Sequence, residues 1–139
     1  MMLVDTSGLL AALSPDQRSH DDCANVLTKT KGLLLLSPFV LAEMAYLVTK
    51  LAGIPKELTL LREVEGGAYD LAPFELADIK RAREIIEQYA DLQIGLTDAS
   101  IVVLSERYDV LDLLTLDERH FRALRGARGR PFRILPADA

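Results

Sequence analysis

The chain has 139 residues, half of them hydrophobic, with a formal net charge of −5 and a mean hydropathy of +0.15. That length and apolar content specify one domain, residues 1–139, with a real core, and exclude a disordered chain. The longest apolar runs, residues 32–36 and 101–104, fall far short of the roughly 18–20 residues a membrane-spanning helix needs.

Residues 2–4 open as a short apolar strand, and Asp5-Thr6-Ser7 follows with residues that cap a helix beginning near Gly8. No basic stretch precedes a long apolar one here, so the start does not have the form of a signal peptide. A polar stretch over 14–22 contains His20 in a predicted loop and leads into a helix over about 21–30. That helix carries Cys23, the one cysteine, which cannot close an internal disulfide and fits a reducing compartment. The expected location is cytoplasmic. Residues 33–36 are a continuous apolar strand, as for one covered on both faces. Ser37-Pro38 is a strong helix start, a capping hydroxyl followed by proline in the first turn, and that helix runs to about Leu51 before Gly53. Pro55 begins another, to about Glu65.

Gly66-Gly67 turns the chain into a strand near 69–73. Residues 75–89 read as an amphipathic helix with Leu76, Ile79, Ala82, Ile85, Ile86 and Tyr89 on one stripe. After Gly95, Thr97 is expected to cap a helix from Asp98 to about Arg107. A strand over 110–115, a short helix over 118–124 and a last strand over 132–135 complete the chain. Strands alternating with helices, with few hairpin signals, imply an α/β fold: a three-layer α/β/α sandwich around a mostly parallel sheet.

The net charge is unevenly spread. Residues 1–118 hold 10 Lys+Arg against 20 Asp+Glu, whereas residues 119–139 hold six arginines and the single acid Asp138. A basic end on an acidic body offers an edge for phosphates, or a contact for a partner's acids.

Chemistry is concentrated in acids. Ligands of open parallel sheets bind at the carboxyl ends of the strands, and Asp5 and Asp117 each sit where a strand hands over to a helix. Asp98 opens a helix and reaches the same rim. Each of the three is also an ordinary helix cap when taken alone. Glu43 is different: it lies mid-helix, one turn from Phe39, Val40, Tyr46 and Leu47, so it reads as a carboxylate projecting from a stripe the helix must bury. No basic residue shares that stripe, and a buried carboxylate requires a partner. A hard divalent cation with oxygen ligands meets that need. No Cys/His cluster points to zinc, and His120 reads as a solvated or capping histidine.

The segments MMLVDTSGLLAAL, SPFVLAEMAYLV, GLTDASIVVLSERY and LLTLDERHF resemble, in order and spacing, the acidic motifs of PIN-domain nucleases, more narrowly the VapC toxins of bacterial toxin–antitoxin pairs. The likeness covers essentially the whole chain. It implies an Mg²⁺- or Mn²⁺-dependent endoribonuclease with Asp5, Glu43, Asp98 and Asp117 as the catalytic, metal-holding acids, and Ser7 and Thr115 orienting them. It further implies hydrolysis to a 5′-phosphate and a 3′-hydroxyl, a homodimer, and an antitoxin partner that covers the site. The number of ions and the RNA cut are left open, as is a non-toxin PIN nuclease of RNA processing or decay. Two rival folds lack their marks: no lysine follows Lys80 for a phosphoacceptor receiver, and Asp5-Thr6-Ser7 lacks the second carboxylate of a haloacid-dehalogenase-type phosphatase.

Overall fold

The computed structural model describes residues 1–139. Its sheet has five parallel strands in the order β3-β2-β1-β4-β5, namely β1 (Met2–Val4), β2 (Leu34–Leu36), β3 (Asp70–Leu71), β4 (Asp112–Leu114) and β5 (Arg133–Leu135). Successive strand residues point to opposite faces, yet Met2, Leu3, Val4, Leu35, Leu36, Leu113 and Leu114 are all buried. Both faces of the sheet are therefore covered, which makes three layers, as the alternating pattern implied. Strand β3 is only two residues long, shorter than the predicted 69–73, and lies on the sheet edge. A short edge leaves little unpaired backbone to recruit another strand.

The helices are α1 (Thr6–Leu13), α2 (His20–Lys29), α3 (Pro38–Ala52), α4 (Ile54–Glu65), α5 (Leu76–Gln88), α6 (Leu96–Tyr108) and α7 (Glu118–Phe121). Ser37 caps α3 as expected, its hydroxyl accepting from the Phe39 N–H, with Pro38 in the first turn. Helix α5 is closed by a reciprocal capping box between Glu75 and Asp78. Helix α6 is the central helix: Ala99 through Ser105 are all buried. It is tied to the start of α3 by a buried hydroxyl pair, Ser37 to Ser100 at 2.7 Å.

Three expectations are corrected. Helix α6 begins two residues earlier than predicted, with Gly95 rather than Thr97 at its cap, so Thr97 and Asp98 both sit in the first turn. The α5 stripe is buried only in its second half, through Ala82 and Ile85, while Leu76 is 88% and Ile79 42% exposed. His20 lies not in a loop but in the first turn of α2, where Nδ1 meets the Ala11 carbonyl at 2.9 Å.

Chain direction places the site. From β1 the chain steps outward through β2 to β3, then crosses back past β1 to β4 and on to β5. Strand order thus reverses between β1 and β4, and the crevice at their carboxyl ends is where an open α/β sheet leaves room for a ligand. Gly8 lets α1 approach that seam: a Cβ there would lie 2.7 Å from both the backbone carbon and the oxygen of Leu114. Gly8→Ala is expected to force α1 off β4 and to cost about 1–3 kcal/mol, read as a lowered denaturant midpoint; an unchanged midpoint would show that the packing tolerates the methyl group.

Candidate active site

Asp5 leaves β1 with its carboxylate buried. It occupies the N-cap position of α1 but makes no side-chain capping hydrogen bond, so the ordinary reading of an aspartate at a helix start does not describe it. Its Oδ2 instead accepts from Thr115 Oγ1 at 2.7 Å and from Ser7 Oγ at 3.0 Å. Both hydroxyls are themselves oriented by the turn after β4: Asp117 N–H donates to Thr115 Oγ1 and Leu116 N–H donates to Ser7 Oγ. Backbone of one strand end thus fixes the hydroxyls that fix the carboxylate of the other. Ser7 and Thr115 are thus the side chains that hold Asp5 Oδ2.

Asp98, in the first turn of α6, is half-buried, and Glu43, Asp98 and Asp117 line one cleft of about 690 Å³ together with Phe39, Tyr46 and His120. Asp5 does not line this cleft but stands close enough to Asp98 for its charge to act on it. Burial, then the neighbouring Asp5 charge, push the Asp98 carboxyl up to about 6, opposed in part by His120. Burial also raises Asp5, against the hydrogen bonds from Thr115 and Ser7, with the charge of Asp117 adding to the rise. The four acids from β1, α3, α6 and the β4–α7 turn are therefore brought to one place.

Glu43 arrives there for a different reason from the expected one. The buried side of α3 is Val40 and Met44, whereas Glu43 is exposed and Tyr46 is 65% exposed. The arc holding Phe39, Glu43 and Tyr46 faces the cleft rather than the core. A helix with apolar residues on more than one side hides which arc is buried.

No lysine or arginine pairs with any of these acids; the one cationic candidate is His120, whose Nδ1 meets Asp117 Oδ2 at 2.8 Å. Asp117 also caps α7 through the His120 N–H. The capping reading of His120 missed its place on the cleft wall; its signal was the Asp-x-x-His spacing, which puts both side chains on one helical turn. Tyr46 was likewise read only as part of an apolar stripe.

The C-terminal arginines are mostly engaged. Arg122 forks between Glu118 and Asp138, both at 2.8 Å, while Arg128 pairs with Asp109 and Arg133 with Asp112. Arg125 donates to backbone carbonyls of residues 122, 123 and 124. Arg119 and Arg130 alone make no such contact, so the basic end is less free to meet phosphate than its charge count implied.

The donor set suits a hard cation. All four acids offer carboxylate oxygens, at least two disfavour each other's charge, and the Thr6 hydroxyl beside Asp5 is buried without a partner. No three His, Cys, Asp or Glu side chains already stand close enough to close on one ion. Mg²⁺ characteristically takes one or two carboxylates and completes its shell with water and phosphate oxygens, which this spacing allows.

The family model of the PIN domain matches residues 2–127. The chain belongs to the PIN-domain family. Over 135 residues it is 42% identical to Ribonuclease VapC26 of Mycobacterium tuberculosis (strain ATCC 25618 / H37Rv), a match covering 97% of this chain and 100% of the relative. Among solved structures, M. tuberculosis VapC20, described as a sarcin–ricin loop cleaving toxin, superposes with a TM-score of 0.78 at 14% identity, over 84% of this chain and 90% of that one. VapBC2 from Rickettsia felis, bound to a DNA fragment from its promoter, gives 0.66 at 19% identity, over 96% and 97%. These two likenesses establish the fold.

A pH dependence follows. Asp98 titrates higher in the fold than its ordinary 3.8, so its protonated form is favoured there. The stability it contributes is present at low pH and is lost as pH rises through about 6. In metal-free buffer the melting temperature of the chain is expected to fall from about pH 4 to about pH 6, and to fall less in Asp98→Asn. Equal slopes in the two proteins would place Asp98 outside the charge cluster.

Proposed function

We propose that this chain is a metal-dependent endoribonuclease, the toxin of a VapBC-type toxin–antitoxin pair, acting in the cytoplasm. What supports the reading is that Glu43, Asp98 and Asp117 line one cleft, that the Asp5 charge acts on Asp98, and that no arginine or lysine pairs with any of them. The 42% identity to Ribonuclease VapC26 over nearly the whole of both chains supports it.

Asp5 and Asp98 would hold the ion. A bound Mg²⁺ or Mn²⁺ supplies the positive charge against which a phosphate can settle and a water can ionise. The protein's own contributions are orientation and proton handling. Thr115 and Ser7 pin Asp5 Oδ2 so that the carboxylate keeps one direction, and Gly95 backbone steadies Asp98 at the start of α6. Glu43 or Asp117, both lining the cleft, accepts the proton of the attacking water. The water oxygen bonds to phosphorus in line with the departing 3′-oxygen, leaving a 5′-phosphate and a 3′-hydroxyl.

Protein partners are a second copy and an antitoxin. Leu51, Ile54 and Leu58 around the α3–α4 corner are exposed by 62%, 61% and 42%, and Leu76 on α5 by 88%. Apolar side chains grouped this way mark surfaces that another chain covers.

With Mg²⁺ present, Asp5→Asn, Asp98→Asn and Glu43→Gln are each expected to cut RNA on the order of a hundredfold or more slowly than the parent, while melting as folded proteins. Chelation should stop the parent. Cleavage by purified Asp98→Asn at the parental rate would remove the proposed ion from this site.

A further inference from the structure

The cleft that holds the acids has an unusual lining for a surface meant to receive a polyanion. It contains three carboxylates, one histidine and no lysine or arginine. Phosphate attraction to the cleft lining itself is therefore weak, and three of the six C-terminal arginines, Arg122, Arg128 and Arg133, are paired with Glu118, Asp138, Asp109 and Asp112. Within the cleft itself, a contact other than a basic side chain is left to hold the nucleic acid beside the carboxylates.

Tyr46 is the candidate. Its ring is 65% exposed, and its hydroxyl makes no hydrogen bond within the chain. It projects from the cleft-facing arc of α3 one turn beyond Glu43, with Phe39 one turn before it. Phe39 is held from behind, edge-on against Phe74 with ring centres 5.0 Å apart, whereas Tyr46 has no such aromatic partner. A large flat ring standing free beside a hydrolytic centre matches the way proteins grip single-stranded nucleic acid, by stacking on a base irrespective of its sequence.

Resting on the nuclease reading above, we propose that Tyr46 is the stacking platform for a nucleobase flanking the scissile phosphate, so that the enzyme holds unpaired RNA by its base more than by its backbone. The base must be splayed from its neighbours to reach the ring, which favours loops and single strands over duplex. Loss of one stacking contact corresponds to about tenfold or more in affinity.

The test is fluorescence anisotropy with a labelled, short, mixed-sequence single-stranded oligoribonucleotide and an otherwise identical abasic one. It is run in Ca²⁺, which fills a carboxylate site, and is paired with cleavage assays in Mg²⁺. Tyr46→Ala is expected to bind the base-containing strand about tenfold or more weakly. Tyr46→Phe is expected to restore the affinity, and the abasic strand to bind the parent and Tyr46→Ala alike. Equal affinity of Tyr46→Ala and the parent for the base-containing strand would overturn the proposal. So would equal weakening for both strands, no binding by the parent, or a changed elution volume for Tyr46→Ala, which would assign the ring to a protein interface. The two readings separate cleanly: parental cleavage with no Tyr46 effect defeats stacking alone, and Tyr46-dependent binding without cleavage defeats the nuclease reading alone.

Discussion

A carboxylate taken out of water is unfavourable unless something answers its charge, and the whole arrangement at the β1/β4 seam follows from having Asp5 there. The fold supplies half of the answer itself. Two hydroxyl groups donate to Asp5 Oδ2, each worth about 1.5–3 kcal/mol to a charged acceptor. Each is aligned by a backbone N–H from the turn that follows β4. The other half is missing from the polypeptide, because the charges that act with Asp5 are those of Asp98 and Asp117, both acids. In ordinary stabilising design an arginine would stand in that place. Here the deficit is left open beside a cleft, and the cation proposed above, with its oxygen ligands, would close it.

The sheet order explains how residues so distant in sequence converge. Asp5 and Thr115 directly follow β1 and β4, strands that are hydrogen-bonded neighbours only because the chain goes out through β3 and comes back beside β1. Asp98 is brought to the same rim by α6, the most deeply buried helix, and the Ser37–Ser100 hydroxyl contact couples that helix to α3, which carries Glu43. Rigid elements therefore hold three of the four carboxylates. The fourth, Asp117, sits in a turn but is fixed twice over, by capping α7 and by His120.

Much of this was readable beforehand, and the failures have physical causes. The alternation of strands and helices predicted the layers, and Asp5, Asp98 and Asp117 stood out because helix-start acids at strand ends fall on one rim of a parallel sheet. Glu43 was singled out on a stripe that proved to be the wrong one. Helix α3 is apolar toward the core through Val40 and Met44 and also toward the cleft through Phe39 and Tyr46, and periodicity does not separate two apolar arcs. The last stretch of the chain looked like a free basic edge because counting charges does not reveal their partners. Asp109, Asp112, Glu118 and Asp138 meet those arginines only once the fold is made. His120 was undervalued since a histidine near an aspartate is commonplace in sequence, and only its position on the cleft wall gives it meaning.

Because the account turns on a cation completing what the chain leaves unneutralised, the decisive measurement is direct sight of that ion. Crystals of the protein soaked in Mn²⁺ and measured for anomalous scattering should show a peak bridged by the carboxylates of Asp5 and Asp98. A fully soaked crystal with no peak between them, or with its manganese held elsewhere on the molecule, would contradict the account at its root.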